Sequence, residues 1–265
     1  MNEEQAPLFP KKRDGRLRRG VHLVPAVLTT LNLGCGFYAL YATSLGDTLN
    51  FDKASIAIGL AILFDSLDGR IARATGTLSE FGKQYDSMAD VISFGAAPGI
   101  LAYTWGVRGV SGGPDILRSL GLLICFAYVT CCAWRLARFN IQGMAPDSRY
   151  FLGMPAPAAA GMVAAAVHGL KFHVERSVDS FLWLAMMAAL AALMASTIRY
   201  FSGKDLGWTR RQPSLVVVAL ALLLWSIWEY SEQVLLMVAS IYTTSGLALA
   251  LVRAVRHRVA AQPTA

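Results

Sequence analysis

Long apolar runs separated by short polar connections recur along most of the chain. Hydropathy read in windows predicts eight spans, at about 26–45, 53–72, 83–105, 117–138, 155–171, 180–199, 214–230 and 233–252. Each approaches the ~20 residues that cross a bilayer as a helix. Helices are expected throughout, because lipid offers no partner to open backbone groups. The fifth span is short and rich in Ala, Gly and Pro, which suits a helix packed closely against its neighbours. The last two are separated only by "YSE" (230–232) and read as a tight helical hairpin.

Composition agrees. Of 265 residues, 55% are hydrophobic and only 15% charged, against about 25% charged in an ordinary soluble domain. Mean hydropathy is +0.47. The reading is an all-α polytopic membrane protein with one integrated bundle, and no soluble domain, low-complexity tract or internal repeat stands out. The opening "MNEEQAPLFPKKRDGRLRRG" lacks an apolar stretch and a cleavage site, so it is a poor signal peptide. Its six basic residues read as a solvated tail that fixes orientation and can also meet anionic headgroups.

Charge then sets the topology. With eight spans and a cytoplasmic N-terminus, Lys53, Arg108, Arg118, Lys171 and Arg176 face the far side, and the other 19 of the 24 Lys and Arg face the cytoplasm. This asymmetry favours both termini in the cytoplasm, with the segment "RIARATGTLSEFGK" (70–83) on that side as well. The net charge of +7 follows from that topology. It does not argue for nucleic acid, because no basic patch carries interleaved aromatics. Cys35, Cys125, Cys131 and Cys132 lie in apolar segments without metal-knuckle spacing and read as small buried hydrophobes. Isolated His22, His168, His173 and His257 read as interfacial, and Trp105, Trp183, Trp208 and Trp228 as an interface belt near span ends.

Against this background the stretch "DSLDGRIARATGTLSEFGKQYDSMAD" (65–90) stands out. On a helix, Asp65, Asp68, Gly69 and Ala72 share one face of the second span, and Gly82, Asp86 and Asp90 share one face of the third. Two antiparallel neighbours could present two carboxylates each to a common point, near the cytoplasmic end because the joining loop is cytoplasmic. Arg70 and Arg73 sit near that end of the second helix. Four carboxylates would repel strongly unless neutralised, and two divalent cations such as magnesium or manganese would balance them. From spacing alone, three functions fit: a metal-dependent phosphotransferase, a membrane prenyltransferase, and a divalent-cation transporter. The prenyltransferase fits less well, because its aspartate-rich motifs normally lie far apart. The transporter lacks a second half with a matching broken helix.

The pattern Asp65-x-x-Asp68-Gly69-x-x-Ala72-Arg73, eight residues, Gly82-x-x-x-Asp86-x-x-x-Asp90 resembles the complete signature of the CDP-alcohol phosphatidyltransferases. The resemblance implies a six-helix core over about 20–200, usually a homodimer, with the final two spans as an addition. The chain then divides into a basic cytoplasmic tail (1–20), a catalytic transmembrane core (21–200), a cytoplasmic loop with a C-terminal hairpin (201–252) and a second tail (253–265). It implies metal ligands at Asp65, Asp68, Asp86 and Asp90, with Asp90 also the general base, and small residues Gly69, Ala72 and Gly82 making room for the nucleotide beside Arg73.

Further segments, "LTTLNLGCGF" (28–37), "DSMADVISFGAAP" (86–98), "RLARFN" (135–140) and "GMPAPAAAG" (153–161), resemble the serine-using subgroup of that family, the bacterial integral-membrane phosphatidylserine synthases. Relatives often carry Pro-Asn early in the first helix, where this chain has Pro25-Ala26. The implied substrates are CDP-diacylglycerol and L-serine, in the inner membrane with the site facing the cytoplasm. A sister enzyme using glycerol 3-phosphate or inositol phosphate is the near alternative. Asn32 could bond the nucleotide or a neighbouring helix. Arg135 and Arg138 could merely orient the fourth span, or one could clamp the carboxylate of serine or a phosphate.

Overall fold

The computed structural model describes residues 15–77, 79–110, 114–142, 150–170, 174, 176–201, 226, 229–246 and 248, with side chains from residue 24 onward except at 142, 150, 151, 199 and 201. Among these, the chain runs as α1 (Gly15–Leu45), α2 (Thr48–Thr75), α3 (Glu80–Asp90), a π-helical turn (Val91–Ala96), α4 (Ala97–Tyr103), a second π-helical turn (Thr104–Arg108), α5 (Asp115–Gln142), β1 (Tyr150–Leu152), α6 (Ala156–Gly169), α7 (Ser177–Ala195) and β2 (Arg199–Phe201). Residues 229–246 form a further helix. The segments from α3 to the second π turn follow one another without a break, so each of the first six predicted spans has a helical counterpart. The seventh falls almost wholly outside the described residues.

Val24–Leu45, Asp115–Ile141 and Ser177–Ala195 are long and apolar enough to cross a membrane, whereas Ala156–Gly169 is apolar but shorter. Phe37, Leu122, Phe126 and Trp134 are 61–70% exposed, while Thr29, Asn32, Thr43, Ser93 and Ser180 are buried. Large apolar side chains facing outward, with a few polar ones kept inside an otherwise apolar core, fit a membrane protein.

α2 is fixed at both ends. The Asp47 carboxylate accepts from the Asn50 N–H at one, and Gly76 closes the other in the left-handed region with φ 63°. α6 lies at the centre, burying Ala156, Ala159, Ala160 and the run from Val163 to Val167, as its small residues lead one to expect. At one end of the bundle His168 of α6 meets Asp52 of α2 and Ser231 of the last helix. At the other end the Tyr200 hydroxyl donates to the Thr243 carbonyl at 3.3 Å.

The third rod departs from regular α-helix at two π turns, where hydropathy predicts a plain helix. Pro98 has no N–H and cannot donate to the carbonyl of Phe94, four residues earlier. The chain widens into the π turn just before it, and fully buried Tyr128 of α5 donates its hydroxyl to that carbonyl at 3.2 Å. The second π turn is held by α7, where Ser180 donates to the Gly106 carbonyl at 2.7 Å and Trp183 to that of Ala102 at 2.9 Å. The interface-belt expectation therefore fails for two tryptophans. Trp105 and Trp183 are buried against each other, ring centroids 4.7 Å apart, because this indole N–H finds its partner inside the bundle. Trp208 and Trp228 lie outside the described residues. The expected break at Tyr230–Glu232 is also absent: these residues are already helical, with no Gly or Pro to interrupt them. The four cysteines are free thiols, buried or half-buried.

Tyr128→Phe removes the donor that replaces the one Pro98 lacks. It should destabilise the folded protein by about 1–2 kcal/mol, read as a lower apparent midpoint of thermal unfolding in detergent.

Candidate active site

Asp65 and Asp68 stand one turn apart on α2 and face Asp86 and Asp90 on α3. Oxygens of Asp65, Asp68 and Asp86 all lie within 4.8 Å of one another. Asp90 lies outside that triple but within electrostatic reach of all three partners. Asp68 and Asp90 are 4% and 6% exposed, so they depend on protein partners. α1 supplies these: Thr29 donates to Asp68 Oδ2 at 2.9 Å, and Asn32 Nδ2 donates to Asp90 Oδ1 at 3.0 Å.

Sequence reading singled out Asn32 but passed over Thr29. The available signal was spacing, because Thr29, Asn32 and Gly36 fall at i, i+3 and i+7 on one helical face. Gly36 is there for proximity. A Cβ at this position would lie 2.8 Å from Ser93 Cα, and Ser93, in the first π turn, donates to the Asn32 carbonyl at 3.0 Å. The turn after Asp90 and the helix that holds Asp90 are thus locked together.

Around this centre, Arg73 is exposed at the end of α2 and folds its guanidinium over Gly69, where a Cβ would come within 3.7 Å of it. Ala72 and Gly82 are half-buried. The Gly82 N–H donates to the capping hydroxyl of Ser79 at 3.0 Å, so this glycine also starts α3. Lys83 donates to the Asn140 carbonyl at 2.9 Å and Asn140 Nδ2 to Ser87 at 2.8 Å, tying α3 to the end of α5.

The two arginines of α5 part company. Arg138 donates to the carbonyls of Ala195, Leu152 and Ser196 at 3.2, 3.2 and 3.0 Å. It pins α5 to the ends of α7 and of the two-stranded ladder in which β1 pairs antiparallel with β2. Arg135, one turn earlier, is 7% exposed, lies within electrostatic reach of Asp65 and Asp90, and leaves its Nε without a partner.

Four carboxylates face Arg73 and Arg135, the guanidiniums that interact with them among the described residues. Two negative charges remain, and Asp86 Oδ1 is a buried acceptor with no donor. An all-oxygen set with surplus negative charge and an orphaned acceptor fits a hard divalent cation. The arrangement can hold metal ions and, through them, an anionic phosphate.

The chain belongs to the CDP-alcohol phosphatidyltransferase family, whose sequence profile matches residues 22–198. Among its relatives, the CDP-diacylglycerol–serine O-phosphatidyltransferase of Helicobacter pylori is 34% identical over 203 residues, 76% of this chain and 81% of the relative. The archaetidylserine synthase of Methanothermobacter thermautotrophicus is 35% identical over 179 residues, 67% and 69% of the two chains. The CDP-diacylglycerol–serine O-phosphatidyltransferase of Saccharomyces cerevisiae is 32% identical over 158 residues, 56% and 54%.

Replacing any one of Asp65, Asp68 or Asp86 by Ala should weaken binding of manganese by at least about tenfold, since affinity at such sites follows the number of charged ligands. Titration of the purified protein followed by electron paramagnetic resonance measures it.

Proposed function

We propose that this chain transfers the phosphatidyl group of CDP-diacylglycerol to the hydroxyl of L-serine, forming phosphatidylserine and releasing CMP. The observation that carries the reading is the pairing of Asp90, oriented by Asn32 beside three clustered carboxylates, with the buried and incompletely partnered Arg135. The names of the relatives point to serine.

Two divalent cations, magnesium or manganese, on Asp65, Asp68, Asp86 and Asp90 would supply charge neutralisation for the diphosphate and for the oxygens that gain charge during transfer. The protein's own part is positioning. Asn32 holds Oδ1 of Asp90, which leaves Oδ2 to take the proton of the serine hydroxyl as that oxygen attacks the lipid-side phosphorus. The bond from that phosphorus to the bridging oxygen breaks, and CMP leaves with it. Gly69, Ala72 and Gly82 leave an open surface for the nucleotide, with Arg73 at its edge to meet phosphate.

Serine brings a carboxylate that glycerol 3-phosphate and inositol phosphate lack. A guanidinium is suited to hold it in bidentate fashion, and Arg135 has the free donor. Arg138, engaged with three carbonyls, acts by fixing α5. The reading includes eight spans, both termini and the site on the cytoplasmic face of the inner membrane, and pairing into a homodimer, which cross-linking in membranes would test.

Purified protein given CDP-diacylglycerol and manganese should release CMP with serine, not with glycerol 3-phosphate or inositol phosphate, and should stop on chelation. Release with another alcohol overturns the substrate, and no release with any of them returns the site to transport. Asp90→Asn should lower kcat by about 10²–10⁴-fold while CDP-diacylglycerol still binds. Arg135→Lys should raise KM for serine about tenfold by losing the bidentate fork, with the KM for CDP-diacylglycerol little changed. An unchanged serine KM removes Arg135 from the alcohol site.

A further inference from the structure

Two apolar grooves flank α2. The larger, about 740 Å³, runs between α2, α6 and the helix of residues 229–246. The smaller, about 400 Å³, runs between α1 and α2. Ile56 and Leu60 line both, so they form the ridge between them. Each groove approaches the carboxylate cluster: the larger reaches Leu63, two residues before Asp65, and the smaller reaches Thr30, next to the Thr29 that holds Asp68. Along α6 the larger groove extends from Pro157 to His168, about 16 Å at helical rise and about one leaflet's share of a hydrocarbon core.

The larger groove has a polar floor. His168, with a side chain 14% exposed, contacts Asp52 through Nδ1, and its Nε2 lies 3.0 Å from Ser231 Oγ. A carboxylate only accepts, so Nδ1 carries a proton in its contact with Asp52. The three residues come from the three helices that wall the groove, and His168 and Ser231 place polar groups along its lining at the end away from the carboxylates.

We infer that the two acyl chains of the diacyl nucleotide lipid part around the Ile56–Leu60 ridge, and that the Asp52–His168–Ser231 network sets the length of the chain in the larger groove. The inference rests on the proposed function for its substrate. A groove in a bilayer gains little over lipid by burying methylenes, so selection comes from rejection of a chain that is too long. Gly161 lines the groove midway, and a Cβ there would contact Ile62 Cδ1, another groove-lining atom, at 3.4 Å, so a larger side chain at this position takes up groove space.

The test is a series of CDP-diacylglycerols of graded acyl length, assayed with serine on the full chain. The native protein should show a cutoff beyond which kcat/KM falls about tenfold or more. Gly161→Leu should move the cutoff to shorter chains, and His168→Ala should move it to longer ones. A cutoff at the same length in all three proteins overturns the inference. A second readout is free of turnover: a CDP-diacylglycerol with a photoreactive group at the acyl terminus should label α6 and residues 229–246. Labelling of the outward face of α5 as strong as in the groove also overturns it. If the native protein releases no CMP with serine at any length while the groove is still labelled, the functional reading fails and the groove stands.

Discussion

Mutual repulsion among four carboxylates inside a bundle with an oily exterior is the force against which the rest of this structure is arranged. A single unpaired carboxylate at such depth costs several kcal/mol, and crowding four raises that cost further. Three features oppose it. Thr29 and Asn32 on α1 each give a donor to one buried carboxylate. Arg73 and Arg135 bring positive charge within reach. A divalent cation, which the clustered oxygens of Asp65, Asp68 and Asp86 could hold, would be the third. α1 can do its part only because Gly36 lets it lie directly on the turn that follows Asp90.

Rigid support lies a turn or more from the chemistry. The π turn after Asp90 is tied to its neighbours, because Tyr128 donates to the Phe94 carbonyl within it and its own Ser93 donates to the Asn32 carbonyl of α1. π turns inside helices recur at functional sites because they re-aim the residues beside them. The same division of labour separates the α5 arginines. Arg138 fixes the rotation and depth of the helix through three carbonyls, and Gly153, at φ 77° with Arg138 Nη2 only 2.9 Å from where a Cβ would stand, keeps that contact open. Arg135 is then held in place with a donor left over.

The aspartate face was legible in the sequence because helical periodicity alone brings i, i+3 and i+4 together, and the motif lies on two helices joined by a short loop. The first six helical rods were legible because long apolar runs report helices directly, and three helices among the described residues are long and apolar enough to cross a membrane. What escaped were contacts between residues distant in sequence. Nothing near Trp183 announces that its N–H reaches the Ala102 carbonyl, so an aromatic near a span end looked interfacial. Arg135 and Arg138 are equivalent on a helical wheel, and only the ends of α7 and the short ladder, each too brief to leave a periodic signal, tell them apart. His168 is alone in sequence, yet its two partners, Asp52 and Ser231, lie 116 residues earlier and 63 residues later.

The helix of residues 229–246 lies beyond the span 22–198 that matches the family profile, yet it is integral to the site's surroundings. Ser231 at one end and Tyr242 toward the other both line the larger groove. Tyr242 also packs against Tyr200, ring centroids 5.7 Å apart, and lies within electrostatic reach of Arg135. One helix therefore lines the larger groove and also stands within electrostatic reach of Arg135. Any shift of that helix changes both surfaces together, because the groove wall and the neighbour of Arg135 are one rigid element. An added helix that only anchored the chain would need neither a phenol beside a buried cation nor a hydroxyl completing a polar floor.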